Sequence, residues 1–403
     1  MSNKLTQGIL AIASILGCSA LQAKTNSSAF EYNFMYQRNM LAKAGANNIT
    51  SAYRLYSLAD YQISKNINIE NPTLATFARA SRVLFFDYPV ASYSMIAQHE
   101  YFGHGGRLRD VGIKNISYNI NIFSGAAMFS SAAYNARTLP KRAAISAGGM
   151  ESTTLLATNI YNDWFEHGSV SSSDAMLSVQ SSYDIIHYID STKNDSTANN
   201  PGHDVTGYIS EINDWNGRNV LTASSLRKKN LVNYLNPFIW YGLYSVGNYI
   251  DSGERNWDLP CIDISGAKYL PAMALYLAPW GPEYHLNNFI KDSYGRNYVF
   301  TVRYGKTGDK KGSGLGLKIR KIYSNKLFSL DAGAHVWRQP ELDATTAALS
   351  KERTGWMLST TLNYAITKDF HANIQAGYKE KGFVPGETIS SGALVKASVF
   401  VRI

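Results

Sequence analysis

Two histidines and a glutamate stand close together in the stretch Ala97–Arg107, which reads AQHEYFGHGGR. They are His99, Glu100 and His104. Imidazole nitrogens bind zinc, and a neighbouring glutamate can deprotonate the water that a catalytic zinc ion activates. Zinc hydrolases usually separate the two histidines by four positions, one turn of a helix, whereas here the separation is five. The pattern therefore predicts a metal site only if the backbone absorbs one extra residue.

A local widening of the helix would absorb it. Side chains five positions apart diverge by about 140° around an ideal α-helix, against about 40° at a separation of four. A π-bulge removes this divergence, and such bulges concentrate at functional sites. Gly103 and the pair Gly105–Gly106 make the stretch easy to deform and allow another backbone to come close. We therefore predict a widened helix that aims His99 and His104 at one ion. The competing interpretation is a core-facing His99 and a helix-face ion pair between Glu100 and His104.

The run His99-Glu100-x-x-Gly103-His104 resembles the His-Glu-x-x-Gly-His motif of dipeptidyl peptidase III-type zinc metallopeptidases. The resemblance covers six residues and implies one zinc ion, with His99 and His104 as ligands and Glu100 as the general base that acts on the water. That family takes its third ligand from a glutamate on a later helix, which here points to Glu151 in SAGGMESTTLL. The glycines before Glu151 allow a close helix approach, although Glu151 also suits an ordinary helix surface. The family's acidic cluster with a basic residue is reduced here to Glu151 alone.

Residues from about 27 to 250 are predicted to be mostly helical. The segments Thr73–Glu100 and Leu139–His167 are long, rich in alanine, leucine and serine, and too irregular in polarity for strands. Pro140 fits the first turn of a helix, and Gly168 fits a helix end. This part of the chain therefore forms a helical domain, with approximate bounds 24–255.

From about Lys268 onward, apolar and polar residues alternate, as in FSLDAGAHVW (Phe328–Trp337). Roughly eight such runs, each about ten residues long, are separated by turn residues, which is typical of a small outer-membrane barrel. The predicted fold is α+β, with the helical domain followed by an antiparallel β region at 256–403 that forms a barrel of about eight strands. The alternative is a soluble sandwich, or a sheet packed on the helical half.

The first 23 residues have the layout of a secretory signal peptide: Lys4, an apolar run from Gly8 to Gly17, then small residues. The apolar run is too short to span a bilayer as a helix. As an alternative, ILGC resembles a lipoprotein box, in which case Cys18 would carry a lipid anchor. If Cys18 leaves with the signal, Cys261 is alone and no internal disulfide forms, which excludes a disulfide-stapled secreted module. We expect export to the outer membrane or periplasm of a Gram-negative-type bacterium.

The chain is basic, with 39 lysines and arginines against 30 acidic residues. This charge fits either an ordinary solvated surface or attraction to anionic lipid, and the uncharged aromatic segment Leu231–Ile250 predicts a buried helix or one at a membrane surface. No dense arginine and lysine stripe suggests nucleic-acid binding.

The function expected is an exported zinc-dependent hydrolase, most simply a metallopeptidase acting on peptides, associated with the outer membrane. The alternatives are an envelope lipid or lipopolysaccharide hydrolase and a non-catalytic outer-membrane protein with a structural histidine cluster.

Overall fold

A computed structural model of the protein describes residues 31–64, 67, 69–193 and 202–402. The predicted signal peptide, including Cys18, lies outside these residues. The mixed class of the fold is confirmed, since the described helices fall between Ala42 and Ser252 and a large antiparallel sheet follows them.

The helices, with the π turns that join some of them, form most of the first half of the chain. The described α-helices are α1 (Ala42–Ser64), α2 (Pro72–Arg82), α3 (Tyr88–Ala97), α4 (Gly105–Asp110), α5 (Ser131–Asn135), α6 (Leu139–Ser146), α7 (Gly148–His167), α8 (Ser172–Ser191), α9 (Asp204–Asn216), α10 (Ala223–Asn230) and α11 (Pro237–Ser252). A π turn joins α2 to α3 (Val83–Asp87), another joins α3 to α4 (Gln98–His104), and a 3-10 turn (Leu231–Leu235) precedes α11. The chain from α2 to α4 is thus one helical run that contains the histidine motif near its end.

The large sheet contains ten strands. Eight of them lie from Ala267 onward, as many as the alternating runs predict there, and Glu31–Gln37 and Ile262–Ile264 add two more. Their order in the sheet is β1-β14-β13-β12-β11-β10-β9-β8-β7-β6. The strands are β1 (Glu31–Gln37), β6 (Ile262–Ile264), β7 (Ala267–Ala278), β8 (Gly281–Lys291), β9 (Asn297–Thr307), β10 (Lys310–Ser324), β11 (Phe328–Pro340), β12 (Glu352–Ala365), β13 (Phe370–Lys379) and β14 (Gly392–Arg402). Two small two-stranded sheets pair β2 (Ser117–Ile120) with β3 (Gly125–Met128), and β4 (Ser169–Ser171) with β5 (Asn256–Asp258).

The first strand of the sheet comes from the part of the chain predicted to be helical. β1 pairs antiparallel with the last strand, so that Glu31 lies opposite Arg402 and Gln37 opposite Lys396. All other neighbours in the sheet are consecutive hairpins. In the described residues β1 and β6 are the two edges and do not pair with each other, so closure into a barrel stays a prediction.

The two faces of the sheet differ in polarity. Apolar side chains on β12 and β13, among them Leu358, Leu362 and Ile374, point outward and are exposed. The inward positions, together with α1 and α7, line a partly open cavity of about 410 Å³, and most of the residues around it are polar. Three histidines line this cavity: His285 on β8, His335 on β11 and His371 on β13. The alternation of polar and apolar residues along the strands predicts such inward polar positions. The sheet therefore has an apolar exterior around a polar interior.

The helix signals in the sequence are largely confirmed. Pro140 lies in the first turn of α6, and Gly168, in the left-handed conformation at φ 72°, ends α7. The segment Leu139–His167 forms two helices rather than one, because α6 ends at Ser146 and Ala147 separates it from α7. α7 then packs at the centre of the helical half, where Tyr161 stacks on Phe238 of α11 with ring centroids 4.4 Å apart.

Helix α11 is only half buried. Phe238, Ile239 and Gly242 face the core, whereas Trp240 and Tyr244 are exposed. This helix therefore has one buried face, as the core alternative predicts, and one exposed face. Its contact with a membrane surface stays a prediction. No helix among the described residues is long and apolar enough to cross a membrane.

A buried ion-pair cluster ties β1 to the helices. Arg54 of α1 lies 2.9 Å from the carboxylate of Asp163 on α7 and 2.6 Å from that of Asp174 on α8. Its Nη1 also donates to the carbonyl oxygen of Glu31 at 3.0 Å. A single guanidinium thus pairs with two carboxylates that are largely removed from water.

We expect Arg54→Met to lower the free energy of unfolding by about 3–5 kcal/mol, because it leaves buried carboxylates uncompensated. The measurement is the midpoint of urea unfolding. The control is Arg218→Met, which breaks an exposed ion pair with Asp309 and should leave the midpoint almost unchanged. Equal effects of the two substitutions would show that Arg54 does not tie the fold together.

Candidate metal centre

The histidine motif lies on a π-helical turn, Gln98–His104, which confirms the predicted widening. The amide of Gly105 donates to the carbonyl oxygen of Glu100, five residues back, rather than four. The extra residue in the turn brings both histidines to one side of the helix. The ring centroids of His99 and His104 lie 4.9 Å apart, and their Nε2 atoms are 3.1 Å apart.

The other nitrogen of each ring faces a hydrogen-bond acceptor. His104 Nδ1 lies 2.7 Å from the carbonyl oxygen of Ile145, and His99 Nδ1 lies 2.9 Å from Oδ2 of Asp184. A carbonyl and a carboxylate only accept, so each Nδ1 carries the hydrogen and donates it. Thr153 donates to the same Asp184 oxygen at 2.7 Å and holds this carboxylate in place. Each Nε2 therefore turns its lone pair toward the other ring.

Asp204, the first residue of α9, approaches the same point from a third direction. Its Oδ2 lies 3.1 Å from His99 Nε2 and 3.2 Å from His104 Nε2. The three atoms form a nearly equilateral triangle. A tetrahedral zinc ion with nitrogen and oxygen ligands at about 2.0–2.1 Å holds its ligand atoms about 3.3 Å apart. The triangle therefore nearly matches one face of a zinc coordination tetrahedron.

The electrostatics of the cluster favour positive charge. Burial is the largest single influence and acts to lower the pKa of both histidines. The contacts of His99 with Asp184, Tyr188 and Asp204 together outweigh burial, as do those of His104 with Asp204 and Glu100, so that both pKa values are raised. Burial acts to raise the pKa of Asp204, yet His104 and His99 hold it well below its usual range. The converging lone pairs need a cation between them, and a proton and a metal ion compete for that position.

Glu100 lies beside this position. The side chain is buried, and one of its carboxylate oxygens and the nitrogens of His99 and His104 all lie within 4.8 Å of one another. Strand β3 covers it closely, since a Cβ at Gly125 would lie 2.4 Å from Glu100 Cγ. Within the described part of the chain, no group donates a hydrogen bond to this carboxylate. The structure thus brings His99, Glu100 and His104 together in a group that could hold a metal ion.

The structure does not bring Glu151 to the histidines. Arg107 Nε donates to Glu151 Oε2 at 2.8 Å, and the amide of Gly386 donates to Oε1 at 2.6 Å. The physical reason is the helical period: Gly149 faces His99, and a residue two positions further on α7 points about 200° away. This geometry gives no support to the ligand role that the motif resemblance implied for Glu151.

The glycines around the site permit the close packing that their sequence positions predict. A Cβ at Gly149 would lie 2.1 Å from His99 Nε2, and one at Gly103 would lie 2.6 Å from the carbonyl oxygen of Gly148. The π turn and the start of α7 therefore meet backbone to backbone. Because Gly149 has no side chain, the His99 ring fits against α7 and reaches the cluster.

The sequence analysis missed the two aspartates. Asp184 stands three residues before His187 on α8, a helical spacing, but its partner is His99 on another helix. Asp204 follows a polar loop, and its position 100 residues after His104 obeys no motif spacing. The sequence signal at Asp204 is an acidic residue in the first turn of a helix. Acidic residues are common at this position in helices that have no functional site.

Comparisons with protein-family models, with curated proteins and with solved structures give no match. The resemblance to dipeptidyl peptidase III-type enzymes therefore remains one of motif, and what the structure supports is a His-Glu-x-x-x-His cluster that could bind a metal ion.

We expect Gly149→Ala to weaken metal binding at least tenfold, because the added methyl group displaces the His99 ring. The measurement is a zinc titration of the purified protein against a competing chelator. Gly247→Ala is the matched control, since a Cβ at this helical glycine meets open space. Unchanged affinity in Gly149→Ala would contradict the described position of His99.

A second buried carboxylate, Glu211, lies on α9 seven residues after Asp204. The hydroxyl of Tyr134 donates to it, Ser146 donates at 3.0 Å, and Arg142 Nε lies 3.5 Å away. Burial outweighs these contacts and raises the pKa of Glu211 to about 7. The folded protein therefore retains at this residue a proton that the unfolded chain releases near pH 4.5.

Stability should consequently fall as the pH rises from about 4.5 to about 7, because the native state binds more protons there. We expect Glu211→Gln to reduce this decline and to stabilise the protein above pH 7, as measured by urea unfolding across pH. Glu166→Gln is a control of opposite sign. Although burial acts to raise it, Arg320 and Lys321 lower the pKa of Glu166 to about 2, so its loss should destabilise the protein at neutral pH. The same pH profile for Glu211→Gln and wild type would contradict the assignment.

Proposed function

We propose that the protein is an exported zinc-dependent hydrolase, most simply a metallopeptidase, associated with the outer membrane. The supporting observation is the convergence of His99 Nε2, His104 Nε2 and Asp204 Oδ2, each within 3.2 Å of the others, beside Glu100. Two imidazoles and a carboxylate suit zinc, and three protein ligands leave a fourth position for water, as in catalytic sites. In this proposal Asp204 takes the ligand position that the motif resemblance gave to Glu151.

The neighbouring residues have definite tasks in hydrolysis. A zinc ion held by these residues would supply a polarised water and would stabilise negative charge on a carbonyl oxygen. Glu100 takes a proton from the water, which leaves a hydroxide able to attack the carbonyl carbon, and returns the proton to the departing nitrogen as the C–N bond breaks. Asp184 and the carbonyl group of Ile145 fix the orientation of the two imidazoles through their Nδ1 hydrogens.

The competing interpretation is a non-catalytic protein. In it, a proton on one imidazole holds the cluster together, and the raised pKa of His99 favours such a proton. Glu100 distinguishes the two. A proton bridge needs only His99, His104 and Asp204, and gives Glu100 no role. In a hydrolase the same carboxylate is the base, and the water it activates is its partner.

The location at the outer membrane is supported by the sheet. In a soluble protein the apolar face of a sheet packs on the core and the polar face meets water. Here Leu358, Leu362 and Ile374 are exposed, whereas charged and amide side chains line the cavity. Such inverted polarity suits a sheet whose outer face meets lipid.

The proposed roles should separate on mutation. His104→Ala and Asp204→Asn should lose zinc, because each removes a ligand. Glu100→Gln should keep about one zinc ion per chain, while hydrolysis falls by about two to four orders of magnitude, the usual worth of positioned proton transfer. The measurements are metal content by mass spectrometry and cleavage of a peptide library.

Glu151→Gln serves as the control for the third ligand, with zinc counted per folded molecule because this change also weakens the ion pair with Arg107. It should retain zinc. Loss of zinc in Glu151→Gln with full retention in Asp204→Asn would reverse the ligand assignment. A wild-type protein that binds no metal would refute the hydrolase.

A further inference from the structure

The helical half exposes an unusual amount of apolar surface. Phe85 and Phe86 on the first π turn are 67% and 61% exposed, and Phe123 at the tip of the β2–β3 hairpin is 87% exposed. Trp240 and Leu243 on α11 are about half exposed. Soluble monomers seldom expose large contiguous apolar patches, and those that do usually bind something there. We call the exposed side of α2, α3, the hairpin, α8 and α11 the helical apolar face.

These elements form one surface. Arg79 of α2 donates to the carbonyl oxygen of Ile250 on α11 at 2.8 Å. Gln180 of α8 donates to the carbonyl oxygen of Tyr88 at 3.1 Å, which joins α8 to α3. The hairpin is attached to α3 as well, since Ser92 Oγ lies 2.8 Å from the carbonyl oxygen of Ile122. The exposed aromatic side chains therefore lie on neighbouring elements rather than at scattered points.

Two observations favour lipid as the occupant over a second protein. First, the last turn of α10 carries Arg227, Lys228 and Lys229, directly before the exposed Leu231 and Leu235. Lys228 is exposed, whereas Arg227 and Lys229 are partly buried and contact Thr192 and Tyr284. Cations beside an apolar, aromatic surface match anionic headgroups above acyl chains. Second, the face continues toward the sheet, because the 3-10 turn before α11 packs on β7 through a hydrogen bond from the amide of Leu275 to Asn233 Oδ1 at 2.8 Å. A protein partner would cover one patch, whereas a bilayer can meet both this face and the outer face of the sheet.

The helical apolar face also leads to the metal cluster. Its exposed Tyr183 stacks on His187 at 5.9 Å, His187 meets Tyr188 at 6.5 Å, and Tyr188 stacks on His99 at 5.1 Å. On the other side, the hairpin that carries Phe123 covers Glu100 through β3. The helical apolar face therefore borders the cluster on two sides, through the rings from Tyr183 to Tyr188 and through the hairpin.

We propose that the helical apolar face lies in the lipid headgroup region of a bilayer and that it presents membrane amphiphiles with an amide or ester bond to the metal centre. The first part stands on the exposed surface alone. The second part rests on the proposed hydrolase function, and it favours acylated envelope lipids over soluble peptides as substrates.

The first part is tested with a fluorophore that brightens in an apolar environment. Serine replaces both cysteines, and single cysteines are labelled at Phe123→Cys, Leu243→Cys and the control Tyr294→Cys, an exposed tyrosine in the β8–β9 turn. The full chain is reconstituted in vesicles of phosphatidylcholine and phosphatidylglycerol. Labels at 123 and 243 should brighten and be quenched by spin-labelled lipid, and the label at 294 should not. Labels at 123 and 243 that remain in water, or that are covered only when protein copies associate, would overturn the proposal.

The second part is tested by the triple substitution of Phe85, Phe86 and Phe123 by serine, with Tyr294→Ser as control. Hydrolysis of a bilayer-resident acyl amide or ester should fall at least tenfold, while metal content and hydrolysis of a short-chain soluble analogue stay as in wild type. Equal loss on both substrates would overturn the role of the face in substrate delivery. An inactive wild type with immersed labels would refute the hydrolase and support the lipid contact, and an active wild type with labels in water would do the reverse.

Discussion

The site depends on one electrostatic constraint, the approach of three lone pairs from His99 Nε2, His104 Nε2 and Asp204 Oδ2 to one point. Since Asp184 and the carbonyl group of Ile145 hold one hydrogen of each imidazole on Nδ1, each ring in its neutral form turns the lone pair of Nε2 toward this point. Three acceptors without a donor repel one another in a buried site. A cation at their centre turns that repulsion into attraction.

Four separate parts of the chain are needed to produce this geometry. The π turn aims the two histidines, Gly149 at the start of α7 makes room for one ring, α8 supplies Asp184, and α9 begins with Asp204. No single part of the chain contains all the groups of the site. The core of the helical half, with α7 at its centre, and the Arg54 cluster that anchors β1 hold these parts together.

Features with a local physical cause could be predicted from the sequence. The odd histidine spacing with Gly103 predicts the π turn, Pro140 and Gly168 mark helix ends, and period-two alternation predicts the antiparallel sheet. Features fixed by tertiary packing could not. Asp204 contacts His104, which lies 100 residues earlier in the sequence, and β1 pairs with the last strand of the sheet. Glu151 points to Arg107 because its position on α7 lies opposite Gly149.

The most direct test of the central claim is zinc analysis of the wild-type protein combined with X-ray absorption at the zinc edge. The account predicts about one zinc ion per chain at neutral pH, bound by two imidazole nitrogens and oxygen ligands at about 2.0–2.1 Å, without sulfur. A protein that stays free of metal after dialysis against zinc would contradict it, as would a bound ion with fewer than two imidazole ligands. Either result would mean that the histidine cluster is held by a proton.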